Sequence, residues 1–228
     1  MTRCNGVHHL AVCTADIKAQ IEYFNDVLGM ELVALYWMHG VEGAWHGFLK
    51  MNDHSSIAFV QTPAIAKIDH ELGVSHSGSP GSPSAGGTMQ HLAFNVDTYA
   101  DLLAMRDRIR SRGINVFGPI HHGMCDSIYF AGLEDLSLEV ATSERPIDGR
   151  AWIDPEVVAL AGIDAAELER FRKPAAFAPQ GGAIPQPRID PAKPQMRGFP
   201  AGVLEQIFAL SDDEVAERMS VTDPPVRD

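Results

Sequence analysis

Long apolar runs are missing from this 228-residue chain. None approaches the roughly 18 residues a membrane helix needs, which excludes a membrane-spanning helix. The opening residues, Met1 to Gly6, have no apolar signal core, so a secretory leader is not expected. Cysteine is scarce: Cys4, Cys13 and Cys125 are the three present. They are too few and too scattered for a disulfide framework or a CxxC site, and a reducing, cytoplasmic setting is expected. Positive charge is short as well, with 18 Lys and Arg against 30 Asp and Glu and a net charge of -12. An acidic surface repels nucleic-acid phosphates and anionic membranes alike, so neither is an expected partner. What remains is ordinary globular composition, 45% hydrophobic and 21% charged, in a length that suits one domain or two small ones. The partner expected is a small molecule or another protein.

The chain does have an internal repeat. Gly6-Val7-His8-His9-Leu10-Ala11-Val12 returns as Thr88-Met89-Gln90-His91-Leu92-Ala93-Phe94. Each copy passes a turn, bearing Asp16 or Asp97, into a helical stretch. Over 17–28, Ile17, Ile21, Phe24 and Leu28 share one face and Gly29 follows; over 99–112, Leu102, Leu103, Met105 and Ile109 recur and Gly113 follows. Apolar residues three and four apart, with Gly just past the end, predict capped amphipathic helices. Short apolar segments bounded by Gly, Asn or Asp predict strands at 31–36, 45–51 and 56–61, and again at 114–117, 127–131 and 136–141. Each copy reads strand–helix–strand–strand–strand, which makes the expected fold class α+β.

The modules run over about 5–62 and 88–143 of a domain spanning 1–143. The segment 63–87 joins them. Its Ser-, Gly- and Pro-rich end, 75–87, reads as flexible, either a plain linker or a mobile lid. From 144 to 228 the character changes. Short helices are predicted at 155–160 and 165–172, then an extended arm over 174–200 with seven prolines, then one or two helices within 201–219. Phe177, Ile184, Phe199, Leu204, Ile207 and Phe208 make this arm too apolar for a solvated tail. It is expected to wrap its own domain or a sister subunit.

Of the ten histidines, His9 and His91 hold the same place in the two repeats. A lone strand His is usually structural, but two in register converge on one point if the modules pair about a pseudo-twofold axis. On the last strand of each module, Ala58 corresponds to Glu139. Glu139 alternates with Leu138 and Val140, so it faces the other side of its strand, toward solvent or into a barrel. His9, His91 and Glu139 together are two nitrogens and one carboxylate. Such a set holds a divalent metal on one face and leaves positions open, as in non-haem Fe(II) oxygenases. Ala58 cannot supply the fourth ligand expected of a hydrolytic or isomerising Zn or Ni site.

These features resemble the vicinal oxygen chelate superfamily over about residues 5–143. His9-Leu10-Ala11-Val12 with Asp16, Tyr23-Phe24 and Leu28-Gly29 looks like its first-module signature. His91-Leu92-Ala93-Phe94, Ser127-Ile128-Tyr129-Phe130 and Leu138-Glu139-Val140 look like its second. Within the superfamily the pattern is most similar to the type I extradiol ring-cleaving dioxygenases. The resemblance implies two tandem βαβββ modules forming a cupped mixed-sheet barrel around a metal. It implies Fe(II), with Mn(II) as the alternative, on His9, His91 and Glu139. Tyr129, ten residues before Glu139, takes the place of that family's active-site tyrosine. His54 lies in a stretch resembling the one that bears an acid–base His, although Ser55 replaces one of the usual pair. The two-module size and His8 look more like the hydroquinone-cleaving branch, in which the residue before the first ligand is a His near the substrate. His122 sits where that branch carries a basic residue. The turn Gly132-Leu133-Glu134-Asp135-Leu136 departs from the usual Asp-Pro-x-Gly and is expected to alter the hairpin rather than the metal.

The implied activity is opening of a catechol or hydroquinone ring with O2. The metal would lower the phenol pKa and hold both reactants together. His8, His54 or His122 would move a proton, and Tyr129 would donate a hydrogen bond. The partners implied are a small aromatic substrate, O2 and further copies of the chain in a homo-oligomer. Trp37, Trp45, Phe48 and Phe59 read as core before pocket. Three other readings stand beside this one. A glyoxalase-type lyase or epimerase would use another divalent metal and take a fourth ligand from His54 or Gln61. A metal-free binding protein would sequester a small molecule. A protein-interaction role would rest on the proline-rich arm.

Overall fold

The computed structural model describes residues 3–179 and 181–227. The first repeat folds as β1 (His9–Cys13), α1 (Ile17–Leu28), β2 (Glu31–Trp37), β3 (Trp45–Asn52) and β4 (Ser55–Gln61). The second folds as β5 (Leu92–Val96), α2 (Tyr99–Ser111), β6 (Phe117–His121), β7 (Asp126–Ala131) and β8 (Ser137–Thr142). Local chemistry sets the helix ends. Asp16 accepts the Ala19 N–H at the start of α1, and Gly29 ends it in the left-handed region at φ 76°. Thr98 and Asp101 form a reciprocal capping box on α2.

The two sheets have the same topology, β1-β4-β3-β2 and β5-β8-β7-β6. In each, the first strand lies parallel to the last and occupies a sheet edge, while the other neighbours are antiparallel. The register pairs Ala11 with Ala58 and Ala93 with Glu139, so Ala58 and Glu139 hold equivalent positions.

The α+β class and the tandem modules are as the sequence predicts, but the sheets do not close into a barrel; they stay two separate four-stranded sheets. The reason lies in the core. Ile57, Phe59 and Leu49 of the first sheet, Phe94, Ile128, Phe130, Leu138 and Val140 of the second, and the apolar faces of α1 and α2 form one cluster. Phe24 sits inside it, its ring 5.0 Å from that of Phe59 and 6.1 Å from that of Phe94. Both sheets thus direct their helix-bearing faces into shared apolar packing, and the opposite faces look away from it.

Polar contacts cross the same boundary. Arg108 donates from Nε to the Val27 carbonyl at 2.9 Å and from Nη2 to the Asp26 carbonyl at 2.8 Å. Tyr23 Oη donates to the Ala131 carbonyl. The Glu134 carboxylate accepts the Ala15 N–H and the Gln20 amide, each at 2.7 Å. Glu134 and Asp135 both have positive φ, 53° and 56°, which costs roughly 1–2 kcal/mol per residue. The turn that departs from the family pattern is therefore strained, and its carboxylate ties the second module to the first.

Three further differences from the sequence reading have simple causes. His9 opens β1, but its counterpart His91 falls just before β5, because the β5–β8 ladder begins at the Leu92–Leu138 pair. The strand expected at 114–117 lies at Phe117–His121; Ile114 and Val116 pack on the core without joining the ladder. The segment 75–87 is bonded rather than loose. Ser77, buried, donates to the Gln90 carbonyl, and the Gln90 amide donates to the Ser79 and Ser82 carbonyls at 3.1 and 3.2 Å.

The larger compact unit comprises Cys4–Met38 and Gly43–Pro174. It also includes α3 (Gly149–Trp152), α4 (Pro155–Leu160) and α5 (Ala165–Arg172). The second unit, mainly the chain after 174, contains α6 (Val203–Phe208) and α7 (Asp212–Met219), the latter started by a Ser211–Glu214 capping box. Among the described residues no helix is long and apolar enough to cross a membrane.

Phe24 touches both modules, so Phe24→Ala should lower stability by about 3–5 kcal/mol. Urea unfolding should show one transition moved to lower denaturant, not two separated ones.

Candidate functional site

Strand alternation divides each sheet into two faces. On β8, Leu138 and Val140 enter the core and Glu139 faces the other way; on β7, Ile128 and Phe130 enter the core and Tyr129 faces the other way. Tyr129 and Glu139 are direct ladder partners, so they share the helix-free face. Glu139 is 5% exposed. A buried carboxylate needs partners, and His91 supplies one: its Nε2 lies 2.9 Å from Glu139 Oε2. The other ring nitrogen of His91, Nδ1, meets the Gln90 side-chain carbonyl. Both ring nitrogens of His91 therefore face acceptor oxygens. Gln90 is also the residue that ties down 75–87, so the joining segment and His91 share one anchor.

Tyr129 Oη lies 2.9 Å from His122 Nε2. Burial, and after it the Glu139 carboxylate, push the Tyr129 phenol above its ordinary value. Its hydroxyl therefore stays protonated and able to donate. His91, Glu139, Tyr129 and His122 are thus brought together as a continuous polar row.

His9 is placed elsewhere. It projects from β1 onto the helix-free face of the first sheet, where its ring meets Phe48 at 5.3 Å and His46 at 6.2 Å. His8 lies beside it, with the two Nδ1 atoms 3.0 Å apart. Ala58 is buried between Ala11 and Phe48 in the register and leaves that centre without a donor. His54 sits in the β3–β4 turn, its backbone N–H bonded to Asn52 Oδ1. With His8 it lines a cavity of 910 Å³ formed by residues 4–8 and 52–55. Gln61 is engaged elsewhere, since its Oε1 accepts the Ile17 N–H at 2.7 Å.

The sequence reading missed His46. It is 8% exposed, its Nδ1 is 3.5 Å from Tyr36 Oη, and its buried Nε2 has no hydrogen-bond partner. Burial first, and His9 second, push this imidazole below its ordinary value. Alternation with Phe48 along β3 was the signal available for it.

A divalent metal needs its ligands around one point. Among the described residues no three His, Cys, Asp or Glu side chains gather in this way. His91 and Glu139 fit such an ion as a pair; His9 does not reach them within the chain. The three expected ligands thus fall into two half-sites, one imidazole on the first sheet and an imidazole–carboxylate pair on the second.

The row on the second sheet makes its own prediction. Removing the Glu139 charge relieves the electrostatic penalty on the Tyr129 phenolate but not the burial. Glu139→Gln should therefore lower the Tyr129 titration midpoint toward, but not below, the ordinary tyrosine value of about 10. Near-ultraviolet absorbance of metal-free protein, with Tyr129→Phe as the assignment control, reads this shift.

The chain is similar to biphenyl-2,3-diol 1,2-dioxygenase 2 of Rhodococcus globerulus, 25% identical over 157 residues that cover 68% of this chain and 72% of the relative. Among solved structures, a glyoxylase/bleomycin resistance protein/dioxygenase domain from a Frankia species matches 61% of this chain and 98% of its own, at 14% identity and TM-score 0.47. A lactoylglutathione lyase from Agrobacterium tumefaciens matches 63% of this chain and 97% of its own, at 18% identity and TM-score 0.44. The model of the Glyoxalase/Bleomycin resistance protein/Dioxygenase superfamily matches residues 6–138. Both modules lie in that span up to the start of β8, and the chain belongs to this superfamily.

Proposed function

We propose that this protein is an extradiol-type dioxygenase that opens the ring of a catechol or hydroquinone with O2. Divalent iron is the proposed metal, manganese the alternative, and His9, His91 and Glu139 are the proposed ligands. The observation that carries the reading is the row His122–Tyr129–Glu139–His91 on the helix-free face of the second sheet. It combines an anionic oxygen and an imidazole of the types such a metal takes with a neutral phenol hydroxyl and a second imidazole. The likeness to a biphenyl-diol dioxygenase supports the same reaction class.

The chain's own groups suit a phenolic substrate. Tyr129, held protonated, donates a hydrogen bond to a substrate oxygen. His122, bonded to that hydroxyl, accepts or returns a proton through it. His8 and His54, which share a cavity, are the proposed proton-transferring groups on the first sheet. Phe48 and Tyr36, whose rings stack at 6.4 Å, give that sheet an aromatic surface. The lyase reading needs a fourth ligand, and the positions that would supply it are occupied otherwise: Ala58 has no donor, Gln61 is bonded to Ile17, and His54 sits in a turn.

The test is metal analysis of anaerobically purified protein followed by oxygen uptake with a panel of catechols and hydroquinones. Iron-dependent uptake on one of them is the expected outcome. Glu139→Ala should abolish it, a larger loss than the roughly 10–100-fold typical of groups outside the ligand set. Stoichiometric zinc or nickel with no oxygen uptake overturns the proposal.

A further inference from the structure

The turn between β6 and β7 brings His122 to Tyr129, and the page of contacts behind that turn centres on one carboxylate. We infer that Asp126 is a positioning residue: with His121, Arg145 and Trp152 it fixes the turn so that the His122 ring meets the Tyr129 hydroxyl. The catalytic meaning of this inference rests on the reading of His122 and Tyr129 as the proton-moving pair.

Three observations carry it. First, Asp126 is a buried charged group that the proposed reaction does not use. It is 5% exposed and alternates along β7 with Ile128 and Phe130, which enter the core. A buried carboxylate needs partners, and it has one on each oxygen. His121 Nδ1 lies 2.6 Å from Oδ1, and Arg145 Nη2 donates to Oδ2 at 3.2 Å. The Asp126 N–H donates to Thr142 Oγ1 at 3.0 Å, which ties the same residue to the end of β8. Second, this grip falls directly beside His122. His121 is the ladder partner of Asp126 and the last residue of β6, and its ring lies 5.7 Å from that of Tyr99 at the start of α2. The next residue, His122, donates its N–H to the Cys125 carbonyl at 2.9 Å and so closes the turn. Holding His121 sets the point from which the His122 side chain departs. Third, Trp152 rests on the turn from outside. Gly123 has φ 83°, and a Cβ there would come 2.8 Å from two atoms of the Trp152 ring. Glycine supplies both the backbone conformation and the room for the indole. Arg145 and Trp152 lie beyond the residues 6–138 that the superfamily model matches, so the segment after β8 is what closes on the turn.

The inference is tested by long-range nitrogen–proton correlation spectra of the metal-free, full-length chain labelled at histidine, with His122→Asn as the assignment control. The ring-nitrogen shifts of His122 report its bond to Tyr129, and Tyr129→Phe gives their position without it. Asp126→Asn and Trp152→Ala are expected to move the His122 signals toward that position and to leave those of His91 in place. Trp152→Phe, which keeps a ring over Gly123, should restore them. Arg145→Gln replaces Asp126→Asn should the buried change disturb folding. His122 signals that stay at the wild-type position in these variants overturn the inference, and so does a wild type whose signals already match Tyr129→Phe. In oxygen uptake, the displaced turn should lower kcat by up to about 100-fold with little change in KM. Unchanged kcat in a variant whose His122 signals have moved overturns the catalytic meaning. A wild type without uptake on any catechol or hydroquinone removes the ring-cleavage reading, while the spectra still decide whether Asp126 holds the turn.

Discussion

Everything in the two-module unit depends on one apolar contact: α1 and α2 press the helix-bearing faces of both sheets into a single core around Phe24. A four-stranded sheet with one helix has a small interior, and small interiors are marginal. Joining the two removes further apolar surface from water at one centre. The same packing decides where the polar groups go. With Leu138 and Val140 held inward, strand alternation leaves Glu139 no choice but the opposite face, and Tyr129 follows on the neighbouring strand. The chemistry of the second sheet is thus a by-product of how its apolar half is buried.

Much of this was legible in the chain. The repeat, the extents of α1, α4 and α5, the turn at Asp16, the Gly29 end of α1 and the equivalence of Ala58 with Glu139 follow from short-range signals: capping residues, a period near 3.6 or 2, and register. Those signals act within a few residues and survive folding. Barrel closure was not legible, because it depends on which face of one module meets which face of the other. No local period encodes that choice. The segment 75–87 misled for a related reason. Its Ser, Gly and Pro content predicts mobility, yet Gln90, a neighbour in space, supplies the bonds that hold it.

The candidate site divides along the same line. That His91, Glu139 and Tyr129 share one face could be worked out from alternation and strand pairing, and the structure shows it. His122 lies outside a strand, at the β6–β7 turn, and no alternation reaches it; only the resemblance pointed there. His46 is the reverse case: its pattern was visible, but it has no counterpart in the repeat and so drew no notice. His9 shows the limit most plainly. Its strand position and its face were both predictable, while its distance from Glu139 was set by the packing of whole modules.

The strained turn at Glu134 and Asp135 has a consequence for how the two modules influence each other. Its carboxylate reaches back to Ala15 across 119 residues of chain. The groups that hold Glu134, the Ala15 N–H and the Gln20 amide, belong to the first module, so a substitution around the start of α1 is felt in the hairpin that leads into β8.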